Sequence, residues 1–198
     1  MFTGIIEGMS EILDVEEEQT NLHITFKSTF TPELKVDQSV SHNGICLTVT
    51  NINIADSTYK VTAIAETQNV TSIKSWKIGD FVNTERCMPA TGRFDGHIVQ
   101  GHVDCVGVLD EIHDLEGSYM LFISHPPEAG LTVNKGSICI NGISLTVVDS
   151  FPDAFSVAII PYTWEHTNLK FIKAGDPVNL EFDVIGKYLQ RLDKLRNT

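Results

Sequence analysis

Positive charge is scarce in this sequence: 14 Lys and Arg stand against 26 Asp and Glu in 198 residues, for a net charge of −12. The deficit is even, because each side of His97 holds 13 acidic and 7 basic residues. An acidic surface with no Lys/Arg cluster repels a phosphate backbone, so nucleic acid is excluded as a partner, and anionic membranes are disfavoured for the same reason. No apolar run approaches membrane-spanning length, and Met1-Phe2-Thr3-Gly4-Ile5-Ile6-Glu7 has no basic stretch ahead of its apolar residues. A soluble, cytoplasmic protein is expected. Cysteine is sparse as well: Cys46, Cys87, Cys105 and Cys139 form no C-x-x-C pair, which argues against a zinc ribbon or a redox motif. Scattered thiols suit a reducing compartment.

What the sequence does hold is a repeat. Ser39 to Thr50 (SVSHNGICLTVT) returns as Ser137 to Val148 (SICINGISLTVV), with seven of twelve positions identical at an offset of 98. A second block, Thr67, Thr71, Lys74, Lys77, Gly79, Asp80, Val82, Asn83 and Glu85, returns 96 residues later as Thr163, Thr167, Lys170, Lys173, Gly175, Asp176, Val178, Asn179 and Glu181. A third aligns Gly4-Ile5-Ile6-Glu7 with Gly101-His102-Val103-Asp104. Three blocks in one order make the chain a duplication of two similar domains, each long enough for its own core.

The patterning within each half is that of β-structure. Leu22, Ile24 and Phe26 alternate on one face of a half-buried strand, with a polar turn expected over Glu16 to Asn21. Asn43-Gly44 is a hairpin signal because both residues tolerate positive φ, and Tyr59 to Glu66 reads as another strand. Many short strands between Gly, Asn, Asp and Pro turns predict an all-β chain of two small closed barrels. The exception follows the duplication: Val184, Ile185, Tyr188, Leu189, Leu192 and Leu195 recur at helical spacing between charged residues. This amphipathic C-terminal helix can cap a barrel or pair with other chains. The expected domains are 1–97, 98–183 and a helix over 184–198.

Function breaks the symmetry of duplicated halves at mismatched positions inside matched blocks. Three such positions stand out: Cys46 against Ser144, Ile5 against His102, and His42 against Ile140. Buried cysteine is more often inert core than nucleophile, but alignment with serine favours chemistry, since both add to electrophilic carbon. His102 follows a repeated glycine where its counterpart is merely apolar, which makes it the candidate proton shuttle. A metal site at His97 and His102 is disfavoured, because their spacing puts the two rings on opposite faces of a strand and no Cys or carboxylate completes the set.

The opening Met1 to Glu7, the core Asn43 to Val49, the joint Asp95 to Asp104 and the echo Asn141 to Val147 together resemble the riboflavin synthase α-chain family. The resemblance implies two six-stranded Greek-key barrels, each with a lumazine pocket, and a C-terminal helix that assembles a homotrimer. It implies a dismutation without metal or redox cofactor: two molecules of 6,7-dimethyl-8-ribityllumazine exchange a four-carbon unit to give riboflavin and 5-amino-6-ribitylamino-uracil. Carried over by position, lumazine contacts in the first barrel are expected at Gly4, Ile5, Ile6, Cys46, Leu47, Thr48, Ala63, Ile64, Glu66 and Thr67. In the second they are expected at Gly101, His102, Val103, Lys135, Ser144, Leu145, Thr146, Ile160, Pro161, Tyr162 and Thr163. Cys46, His102, Ser144 and Thr146 are the expected catalytic residues, with Ser41 and Asp183 behind them. Two positions depart from the family pattern or from the other half: Cys105 stands where glycine is expected, and Tyr162 stands opposite Glu66. The competing reading is a non-catalytic lumazine- or flavin-binding protein of the antenna type, which shares fold and duplication.

Overall fold

The computed structural model describes residues 1–197. Strands β1 (Gly8–Glu18), β2 (Asn21–Lys27), β3 (Ser39–His42), β4 (Ile45–Asn53), β5 (Thr58–Ala63) and β6 (Phe81–Arg86) close into an antiparallel barrel in the order β1-β2-β5-β4-β3-β6. Strands β7 (Cys105–Asp114), β8 (Tyr119–Ser124), β9 (Ser137–Ile140), β10 (Ile143–Ser150), β11 (Ala154–Ile159) and β12 (Pro177–Phe182) close a second barrel with the same connectivity. Helices α1 (Ala65–Val70) and α2 (Pro161–His166) follow β5 and β11, and α3 (Val184–Arg196) ends the chain. Among the described residues no helix is long and apolar enough to cross a membrane.

Two boundaries differ from the sequence expectation. The expected strand over Tyr59 to Glu66 stops at Ala63, and Glu66 lies on α1. Period-two alternation ends there, and Ala65-Glu66-Thr67-Gln68 carries no strand-forming side chain except Thr67. The expected turn over Glu16 to Asn21 shrinks to Gln19-Thr20: Glu17 pairs with Leu22 and Glu18 with Asn21, while Gln19 takes φ 56°. The glutamates extend the hairpin into solvent, where their side chains remain hydrated.

Alternation fills each barrel. Ile12, Ile24, Phe26, Val40, Leu47, Val49 and Val61 build the first core, and Leu109, Leu121, Ile123, Ile138, Val147 and Val157 build the second. The repeated Asn-Gly turns also join the barrels. Asn43 and Asn141 both sit at φ 46°, and a Cβ on Gly44 would lie 2.9 Å from the Gly142 nitrogen. Glycine is thus required twice over, for positive φ and for close approach. Across the joint, Asn83 Nδ2 donates to Asn141 O (3.0 Å) and Asn179 Nδ2 to Asn43 O (2.9 Å). The motif that marks the duplication is the joint between the barrels as well as a hairpin.

Candidate active site

Cys46 and Ser144 occupy equivalent places, each at the start of the second strand of an Asn-Gly hairpin. Cys46 stands opposite Ser41, and Ser144 opposite Cys139. The pleat turns Leu47 and Val49 into the core, so Cys46 and Thr48 face outward; Ser144 and Thr146 do likewise. β5, which pairs with β4, ends at Ala63, and Ile64, Glu66 and Thr67 follow where α1 begins. β11, which pairs with β10, is followed by Ile160, Pro161, Tyr162 and Thr163 where α2 begins, while Lys135, in the turn before β9, donates its backbone N–H to Val147 O at 2.9 Å.

The segments leading into the barrels are exchanged. Phe2 and Val99 pair antiparallel, and from there each lead-in crosses to the other barrel. Ser144 N donates to Gly4 O (2.8 Å), and Cys46 N donates to Gly101 O (2.9 Å). Ile6 packs against the second core and Val103 against the first. A Cβ on Gly4 would lie 2.6 Å from Ser144 Cβ, and one on Gly101 would lie 2.5 Å from Cys46 Cβ. The expected grouping is therefore corrected: Gly4, Ile5 and Ile6 belong beside Ser144, and Gly101, His102 and Val103 beside Cys46. Sequence order had grouped each lead-in with the strands that follow it.

Burial sets the chemistry of the reactive atoms. It pushes the Cys46 thiol above its ordinary range, against an opposing hydrogen bond from Ser39, so Cys46 is protonated at neutral pH. His102 donates its backbone N–H to Glu181 and leaves its side chain exposed. The histidine that touches a reactive atom is His97, with Nδ1 2.7 Å from Ser144 Oγ. Burial pushes its pKa down, only partly offset by the charge of Asp183, so His97 is a free base at neutral pH and can accept the serine proton. Its Nε2 is buried and has no hydrogen-bond partner among the described residues. A comparison of the halves could not find His97, because position 97 less the 97-residue offset has no counterpart.

The remaining expected residues take lesser places. Leu47 is a core side chain, so only its backbone can meet a ligand. Ser41 lies buried beside Cys46, as its cross-strand partner. Asp183 caps α3, accepting from Ile185 N at 2.9 Å. Cys105 packs against the second core, and burial raises its thiol to about 11. Tyr162 stacks on His166 with ring centroids 4.0 Å apart. Among the described residues no three His, Cys, Asp or Glu side chains are grouped to hold a metal ion.

The lumazine binding domain family matches the chain twice, over residues 3–87 and 100–183. A riboflavin synthase of Actinobacillus pleuropneumoniae is 40% identical over 193 residues, covering 96% of this chain and 89% of that protein. The chain belongs to the riboflavin synthase family. Another riboflavin synthase, from Mycobacterium bovis, is 37% identical over 197 residues, covering 97% of this chain and 98% of that one. The fold of family members is shared by LumP: its complex with 6,7-dimethyl-8-(1'-D-ribityl) lumazine matches with a TM-score of 0.83 at 21% identity, covering 92% of this chain and 99% of that one. A LumP–riboflavin complex matches with a TM-score of 0.82 at 23% identity, covering 91% and 98%.

Proposed function

We propose that this chain is a riboflavin synthase, an enzyme that binds two molecules of 6,7-dimethyl-8-ribityllumazine and transfers a four-carbon unit between them. The observation that carries this is the pair of equivalent hairpin positions with unequal reactive atoms, a thiol at Cys46 and a histidine-paired hydroxyl at Ser144. A reaction of two identical molecules needs two matched seats and one difference between them. One lumazine loses a proton from its C7 methyl group, and the resulting carbanion attacks the other. Ser144 adds at C7 of the acceptor as His97 takes its proton, and leaves again with that proton returned as the four-carbon unit is transferred, while Cys46 and His102 serve the donor. Thr48 and Thr146 bond the ring edges; Glu66 and Lys135 bond ribityl hydroxyls. Holding the two rings together contributes on the order of 7 kcal/mol or more of the barrier as prepaid entropy.

Neither hairpin site is covered by the described residues of one chain. Ile5 is 46% exposed, Ile64 57%, Ile160 60% and Tyr162 68%. We assign their cover to a neighbouring chain in a homotrimer, first barrel against second, held by α3, whose Ile185, Tyr188, Leu189, Leu192 and Leu195 are all exposed. The domain division at 97 and 183 follows from the same reading. Incubation with the lumazine, followed by riboflavin absorbance, is expected to give one riboflavin for two lumazines consumed. Stoichiometric binding without turnover would instead identify an antenna-type binding protein.

A further inference from the structure

The lead-in segments cross to the opposite barrel without a strand ladder of their own, and one side chain in each half takes up their backbone donors. Glu85, on β6, accepts Thr3 N (2.7 Å) and Thr3 Oγ1 (2.8 Å) at Oε1 and Gly4 N (2.9 Å) at Oε2. Glu181, on β12, accepts Gln100 N (2.7 Å) at Oε1 and both Gly101 N and His102 N (2.9 Å each) at Oε2. Both carboxyls are at least 96% buried, at 4% and 2% exposure. A buried acid is expensive to desolvate, and only a set of convergent N–H donors offsets that cost. Aliphatic side chains at these places would leave two backbone N–H groups and the Thr3 hydroxyl unsatisfied in the first half and three backbone N–H groups in the second.

We propose that Glu85 and Glu181 are positioning residues for the reaction, each acting on the pocket carried by the other barrel. Glu181 holds Gly101 against Cys46 and so shapes the first-barrel pocket; Glu85 holds Gly4 against Ser144 and so shapes the second. The two clasps are unequal, because Thr3 adds a hydroxyl donor that Gln100 does not match. Burial pushes both carboxyls above their ordinary range and the N–H bonds pull them back, consistent with a charge kept for its acceptor capacity. The substitution Glu→Gln keeps the shape and one carbonyl oxygen but turns an NH2 toward N–H donors, so it releases the lead-in with little change in volume.

The proposal rests on the riboflavin synthase reading for the word reaction, and its test is independent of turnover. Cys46 lies under Gly101, so its alkylation by iodoacetamide, followed by peptide mass spectrometry on the full chain, reports on the first pocket alone. Glu181→Gln is expected to speed Cys46 alkylation at least tenfold and to weaken lumazine binding at one of two sites. Glu85→Gln is expected to leave Cys46 alkylation within twofold while weakening the other site. Gly101→Ala, which drives a Cβ into Cys46, keeps the test open if Glu181→Gln does not fold; it should reproduce the Glu181→Gln pattern. Equal acceleration in both glutamine variants, or none in Glu181→Gln, overturns the assignment. Loss of turnover with unchanged alkylation in both variants overturns it equally.

Discussion

The two barrels share connectivity and pocket frame but differ in what fills them. In the first, His42 is fully buried: its Nδ1 donates to Val40 O (3.1 Å), which leaves Nε2 to accept from Tyr59 Oη (2.8 Å). Ser10 Oγ lies 3.5 Å beyond the tyrosine and 3.1 Å from Thr84 Oγ1, which in turn donates to Gly8 O. In the second barrel the corresponding residues are Ile140, Phe155, Gly107 and Leu180, and the same space is apolar. A polar chain specifies one arrangement but is stable only while neutral and fully paired. At this place the first barrel therefore carries a histidine sensitive to acid where the second carries Ile140.

The largest expected effect follows from His42. Burial lowers its pKa from 6.5 to about 3, so the folded barrel holds it neutral while the unfolded chain protonates it below about 6.5. Stability from this group is fully present above that pH and is lost as pH falls toward 3, up to on the order of 5 kcal/mol at ~1.4 kcal/mol per pKa unit. Glu85 and Glu181, with raised pKa values, act in the opposite sense, gaining stability as pH falls, but one sits in each barrel and the comparison is unaffected. Hydrogen exchange at pH 7 and pH 4 is expected to show β1 to β6 opening first in acid. The pair His42→Ile with Tyr59→Phe, which copies the second barrel, should abolish the difference; preferential opening of β7 to β12 would refute it.

A smaller effect is expected at the junction, where Asn168 breaks the symmetry against Ser72. Its Nδ2 donates to Asn43 Oδ1 (3.0 Å) and its Oδ1 accepts from Asn83 Nδ2 (2.8 Å), neither of which the serine can match. Asn168→Ser should make the joint symmetric at a cost of about 1–2 kcal/mol. Calorimetry checks this as a lower melting temperature, and an unchanged melt would show that the asymmetry does not hold the barrels together.

The repeated Asn-Gly-Ile-x-Leu-Thr-Val stretch made the fold legible, because a turn signal followed by strict alternation leaves few alternatives to a hairpin, and its recurrence fixes two of them. The reactive pair Cys46 and Ser144 was legible for the same reason, as a mismatch inside a match. That rule also set its own blind spots. Glu85 and Glu181 are identical in the two halves, so a search for differences passes over them, although two buried glutamates in matching strands are the signal. His97 lies in the joint and has no partner to differ from. The exchange of lead-ins was hidden because sequence neighbours need not be spatial neighbours: Gly4 is four residues from β1 yet lies against Ser144.

That exchange is the point on which the account turns, and a structure of the chain crystallised with 6,7-dimethyl-8-ribityllumazine tests it most directly. The ring beside Cys46 is predicted to lie against Gly101, His102 and Val103, and the ring beside Ser144 against Gly4, Ile5 and Ile6. A ring at Cys46 bounded by Gly4 to Ile6 would contradict it.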